Sequence, residues 1–130
     1  MKPEINDYVG IPWLKGGNTK QGADCWGLAT LVLRDVFGIN IKEYANSKAT
    51  CSELRQIIET ESKSNRWRQV KKPSIGDLVV VDKHIGVFVG DDRMLHAIER
   101  LQATSQIHRV RTIEKLFGKL SYYAHNSPIT

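Results

Sequence analysis

From residue 22 to residue 40 the apolar positions Cys25, Leu28, Leu31, Val32 and Val36 recur at the spacing of one helical face. Asp24 stands where a capping carboxylate would accept from the first-turn amides, and Gly38 supplies a stop, so the pattern predicts a helix over 25–37. Thr50 followed by Glu53 forms a capping box, with Leu54, Ile57 and Ile58 as a buried face, and predicts a second helix ending near Ser62. After Pro73 the texture changes to β-branched runs. "DLVVV" (77–81), "HIGVFVG" (84–90) and "RMLHAI" (93–98), divided by Asp82-Lys83 and Asp91-Asp92, read as an antiparallel meander. "QIHRVR" and "LSYYAH" read as further strands around a short helical piece, "TIEKLFG". From Asp7 to Gly22, Pro12 and Gly16-Gly17 mark a loop. Helices first and strands after predict an α+β fold, with N-terminal helices packed on a central antiparallel sheet.

Composition narrows the class. A chain of 130 residues, 41% hydrophobic and without repeats or linkers, reads as a single domain over 1–130. The formal charge is +5, yet the basic residues gather only loosely at 62–72 and 108–111, short of the concentrated stripe that nucleic acid requires. No nucleic-acid partner is expected. The N-terminal stretch lacks the apolar run of about 7–15 residues of a signal peptide, and nothing approaches the roughly 18 apolar residues of a membrane span. The reading is therefore a protein made in the cytoplasm, without membrane insertion. Two cysteines, Cys25 and Cys51, are too few for a disulfide scaffold, although a bridge between them stays open.

The chemistry begins with Cys25. A thiol in the first turn of a helix gains thiolate character from the dipole, while the plainer role for such a residue is packing. Cys51 reads as structural. Of the four histidines, His84 opens one strand and His96 lies in the next. A three-residue turn over Gly90–Asp92 would set Val89 against Arg93 and Gly86 against His96, placing His84 and His96 on one face as diagonal neighbours about 7–8 Å apart. A two-residue turn would put them on opposite faces. His108 and His125 are expected at the surface. No C-x-x-C or H-x-x-x-H pair is present, so no metal and no cofactor is expected. "GGNTKQG" lacks the ending of a phosphate loop and reads as one wall of a cleft.

Taken in order, "GIPWLKGG", "GADCWGL", "GDLVVV", "HIGVFVG" and "MLHA", from about Tyr8 to Ala97, resemble the NlpC family of papain-like cysteine peptidases, which cut bacterial cell-wall peptides. The resemblance implies a papain-like NlpC-type fold with Cys25 as nucleophile, His84 as general base and His96 as the polar residue that orients it. The Cys25 amide would serve an oxyanion hole. Trp13 stands where the family usually has Tyr, with Tyr8 as an alternative donor, and Trp26 stands where it usually has Ser. Trp13, Trp26, Tyr8 and Asp24 are the residues expected against substrate. The implied substrate is a peptidoglycan stem peptide, cut between D-γ-glutamate and a diamino acid. "DCWGL" resembles members found in phage and prophage tail-assembly proteins, which implies tail proteins as partners and a virion-tail location, acting in the cell wall or periplasm. The rival expectations are a non-catalytic tail docking module, or an amidase or acyltransferase using the same Cys-His site.

Overall fold

The computed structural model describes residues 4–39, 67–81, 84–98 and 104–126; the expected second helix and Cys51 lie outside them. A 3-10 turn, Ile5–Tyr8, precedes a small hairpin of β1 (Asn18–Thr19) and β2 (Gly22–Ala23), set inside the stretch expected to be loop. Helix α1 follows over Cys25–Phe37, the bounds that the periodicity predicts. Its caps explain why it starts and stops there. Asp24 Oδ1 accepts from the Gly27 amide at 2.7 Å, and Gly38 turns out of the helix at φ +70°, a left-handed conformation that costs glycine little. Among the described residues no helix is long and apolar enough to cross a membrane.

The strands β3 (Trp67–Val70), β4 (Leu78–Val81), β5 (His84–Gly90), β6 (Arg93–His96), β7 (Gln106–Arg109) and β8 (Leu120–His125) form one antiparallel sheet in the order β3-β8-β4-β5-β6-β7. The meander holds from β4 to β7. Then α2 (Val110–Phe117) carries the chain back, so that β8 enters between β3 and β4. Strand β3 falls in a stretch that reads from sequence only as a basic cluster. It is an edge strand whose Arg68 and Gln69 are exposed, and its hold on the core is Trp67, 1% exposed.

Period-two alternation divides the sheet into two faces. Leu78, Val80, Ile85, Val87 and Leu95 point one way and pack under α1 against Trp26, Leu28, Val32 and Tyr8. Val79, Val81 and Met94 point the other way, against Val110 and Ile113 of α2. Both faces are covered at β4, which is why it reads as an unbroken apolar run. Each such buried side chain is worth roughly 1.5–3 kcal/mol in transfer free energy.

Two close fits hold the N-terminal segment in place. Ser105, fully buried, accepts from the Ile11 amide at 2.9 Å and donates to the Tyr8 carbonyl at 2.5 Å, tying residues 8–11 to the approach to β7. At the other fit, α1 lies against the Gly16-Gly17 loop, and a Cβ at Gly27 would sit 1.8 Å from the Gly17 carbonyl oxygen.

Candidate active site

The β5–β6 hairpin sets the positions of His84 and His96, and it does so by a route different from the expected one. The turn has two residues, Asp91 and Asp92, both at positive φ (50° and 58°), with Gly90 paired to Arg93. Alone, that turn would send the histidines to opposite faces. A bulge between Phe88 and Gly90 adds the missing residue on β5, so Phe88 pairs with Met94 and Val87 with Leu95. His84 and His96 therefore share a face, as expected, through a turn plus a bulge instead of a longer turn. Gly86 makes the room: a Cβ there would lie 2.4 Å from Met94 Cε and 3.1 Å from His96 Cβ.

On that face His84 Nε2 lies 2.7 Å from His96 Nδ1, with the rings nearly perpendicular at 68°. His96 uses its second nitrogen as well, Nε2 lying 2.8 Å from His108 Nδ1. The expectation of a surface His108 is thus corrected: the residue is half-buried and continues the file. The signal was available, because Gln106 and His108 alternate on β7, and the β6–β7 register that sets His96 against Gln106 brings His108 to the same face. His125, also expected at the surface, packs its ring edge-on against Trp67 at 4.7 Å between centroids. Among the described residues no group is arranged to hold a metal ion; the three imidazoles face one another in pairs, with no point in common.

Burial governs the charge of the pair. It pushes His84 down to about 4 and His96 to about 3, the latter helped by the two neighbouring rings. Folded, both are neutral at pH values where the unfolded chain, with histidines near 6.5, already binds protons. The unfolded state then holds more protons, so stability rises with pH, is fully present above about 6.5, and is lost as pH falls from there toward 4. Denaturant titrations over that window should show a loss of up to about 1.4 kcal/mol per pH unit for each histidine involved. His96→Asn should flatten the slope, and an unchanged slope would contradict the buried-neutral assignment.

Cys25, 2% exposed, is the first residue of α1 and is disulfide-bonded in this structure. Helix α1 packs on the face of Ile85 and Val87, whereas His84 and His96 share their face with Met94 and α2, where Phe117 lies 6.1 Å from the His84 ring. Cys25 thus opens the helix that lies over Ile85 and Val87, and His84 opens β5 itself.

The residues expected against substrate are placed differently. Asp24 spends both oxygens on backbone, Oδ1 on Gly27 and Oδ2 on Gly16 at 2.9 Å. Trp26 is 3% exposed within the main core, which gives its ring no face for a ligand. Tyr8 is equally buried and donates its hydroxyl to Asp35 at 2.9 Å, ten residues along α1 from Cys25 and so about 15 Å from it. Burial, and then the contact with Asp35, push the phenol up to about 12. Trp13 is half-buried and bridges to Ala23, two residues before Cys25, so of the three aromatic residues it is the one still partly exposed.

Comparisons with known proteins converge. A model of the NlpC/P60 family matches residues 10–120. A "Probable endopeptidase NlpC homolog" of Haemophilus influenzae is 33% identical over 94 residues, 71% of this chain and 44% of that protein. The "Murein DD-endopeptidase MepS/Murein LD-carboxypeptidase" of Escherichia coli K12 is 27% identical over 96 residues, again 44% of its length. The chain thus spans less than half the length of these curated relatives. Two crystal structures share the fold: the NlpC/p60 domain of the peptidoglycan hydrolase SagA (TM-score 0.58, 20% identity, 89% of each chain) and a Bacillus cereus NlpC/P60 family protein (TM-score 0.64, 17% identity, 98% of this chain and 42% of that one).

Proposed function

We infer that this chain, which belongs to the NlpC/P60 family, is a cysteine peptidase that hydrolyses peptide bonds of peptidoglycan. The observation that carries the reading is the buried contact of His84 Nε2 with His96 Nδ1, in a family whose matched relatives are named endopeptidases. An imidazole held through Nε2 keeps Nδ1 for a thiol proton. The reading asks the reduced Cys25 sulfur, on the first residue of α1, to meet that Nδ1 edge on the first residue of β5.

The chemistry is then thiolate attack of Cys25 on an amide carbonyl, with the oxyanion held by backbone amides at the start of α1. His84 gives its proton to the leaving amine, and water hydrolyses the thioester. The bond we assign is that between D-γ-glutamate and the following diamino acid. The setting we assign is a phage or prophage tail, with tail proteins as partners, synthesis in the cytoplasm and action in the wall or periplasm. The bond rests on the resemblance to the family as a whole, and the setting on the "DCWGL" resemblance.

A sulfur held in a disulfide offers no thiolate, so hydrolysis should require reduction of Cys25. Muropeptides incubated with the protein, with and without dithiothreitol, and followed by mass spectrometry should release an L-Ala-D-Glu fragment in the reduced sample only. Intact muropeptides in the reduced sample would favour a docking module; turnover of other amide or thioester substrates there would favour an amidase or acyltransferase.

A further inference from the structure

The file of three imidazoles ends at His108, and its end decides its direction. A neutral imidazole carries one N–H and one lone pair, so each of the two contacts, 2.7 and 2.8 Å long, needs one donor and one acceptor. Only two consistent arrangements exist for three neutral rings. In the first, His84 donates from Nε2 to His96 Nδ1, His96 donates from Nε2 to His108 Nδ1, and His84 Nδ1 is left with a lone pair. In the second, His108 donates from Nδ1 to His96 Nε2, His96 donates from Nδ1 to His84 Nε2, and the His84 proton sits on Nδ1. Only the first can take a proton at Nδ1.

His96 is 1% exposed and has both nitrogens engaged by histidines, so its tautomer is set from the two ends of the file. His108 lies on the edge strand β7, half-buried, with its Nδ1 turned inward to His96. We propose that His108 is a positioning residue: its Nδ1 lone pair holds His96 as the Nε2–H tautomer, which in turn leaves His84 Nδ1 free to act as base. This inference rests on the proposed peptidase reading for its catalytic consequence, but its structural content is independent of any substrate.

The test uses the full chain in reduced form as wild type, His108→Phe and His108→Asn. Phenylalanine keeps the bulk without the acceptor, and asparagine offers an oxygen near the Nδ1 position. Nitrogen-15 imidazole spectra should show His96 as the Nε2–H form in wild type and His108→Asn, and as a mixture or the Nδ1–H form in His108→Phe. With muropeptide substrate, kcat should fall about 10- to 100-fold in His108→Phe with KM unchanged, and return to within about threefold of wild type in His108→Asn. An unchanged His96 tautomer in His108→Phe, or an equal kcat loss in both variants, would overturn the proposal. Wild type without hydrolysis would count against the peptidase reading alone, because the spectra still decide the role of His108.

Discussion

Cys25→Ala should abolish hydrolysis of peptidoglycan peptides, lowering kcat by at least about 10³-fold relative to reduced wild type. The loss should come without collapse of the domain. The Asp24 cap on Gly27 and Gly16 and the apolar face of α1 are untouched by removing one sulfur. The melting temperature of the variant should therefore stay close to that of reduced wild type while turnover disappears. Alkylation separates the thiol's activation from its presence: iodoacetamide should label reduced wild-type Cys25 at neutral pH, and His84→Asn should slow labelling about tenfold, because the imidazole proposed to take the proton is gone. Hydrolysis by Cys25→Ala at the wild-type rate would remove Cys25 from the mechanism, and labelling indifferent to His84 would break the pairing of the two residues.

The second large effect is structural. Gly27→Ala should destabilise the domain by more than about 4 kcal/mol, or prevent folding, because the new methyl would lie 1.8 Å from the Gly17 carbonyl oxygen and 2.8 Å from its carbon. Neither side can retreat easily. The obstacle is backbone, the Asp24 amide donates to that same Gly17 oxygen at 3.2 Å, and Gly27's own amide is fixed by the cap. Gly38→Ala provides the contrast: its φ is +70° but its surroundings are open, so only the left-handed strain of about 1–2 kcal/mol is expected. Urea unfolding of both variants measures the difference, and a Gly27→Ala midpoint near that of wild type would show that the helix can lift off the loop.

Features that depend on neighbouring residues in sequence were the readable ones. The limits of α1 followed from Asp24, the three-to-four spacing and Gly38, all within a span of 15 residues. Strands β4 to β8 were legible because β-branched runs broken by Asp and Gly carry their own boundaries. Strand β3 was not, since an edge strand with Arg68 and Gln69 outward shows little apolar pattern beyond Trp67 and Val70. The common face of His84 and His96 was anticipated through the wrong turn; the bulge that restores the parity is a cross-strand event, invisible in one strand's pattern. The place of β8, the face on which α1 lies relative to the histidines, and the inward turn of His108 are all long-range pairings. For the same reason Asp24, Trp26 and Tyr8, near Cys25 in sequence or by resemblance, were expected against substrate, although caps and core absorb them.

The insertion of β8 between β3 and β4 also sets an order of assembly. Strands β4 to β7 follow one another by short connections and can zip together as they emerge from the ribosome, but β3, made before them, joins the sheet through β8. Until residues 120–125 have been synthesised, Trp67 has no partner strand and the inner edge of β4 stands open, an adhesive border of Leu78 and three consecutive valines. A nascent chain paused between β7 and β8 would carry the three histidines of the file yet lack a closed sheet, so the short α2–β8 segment is the clasp that completes it.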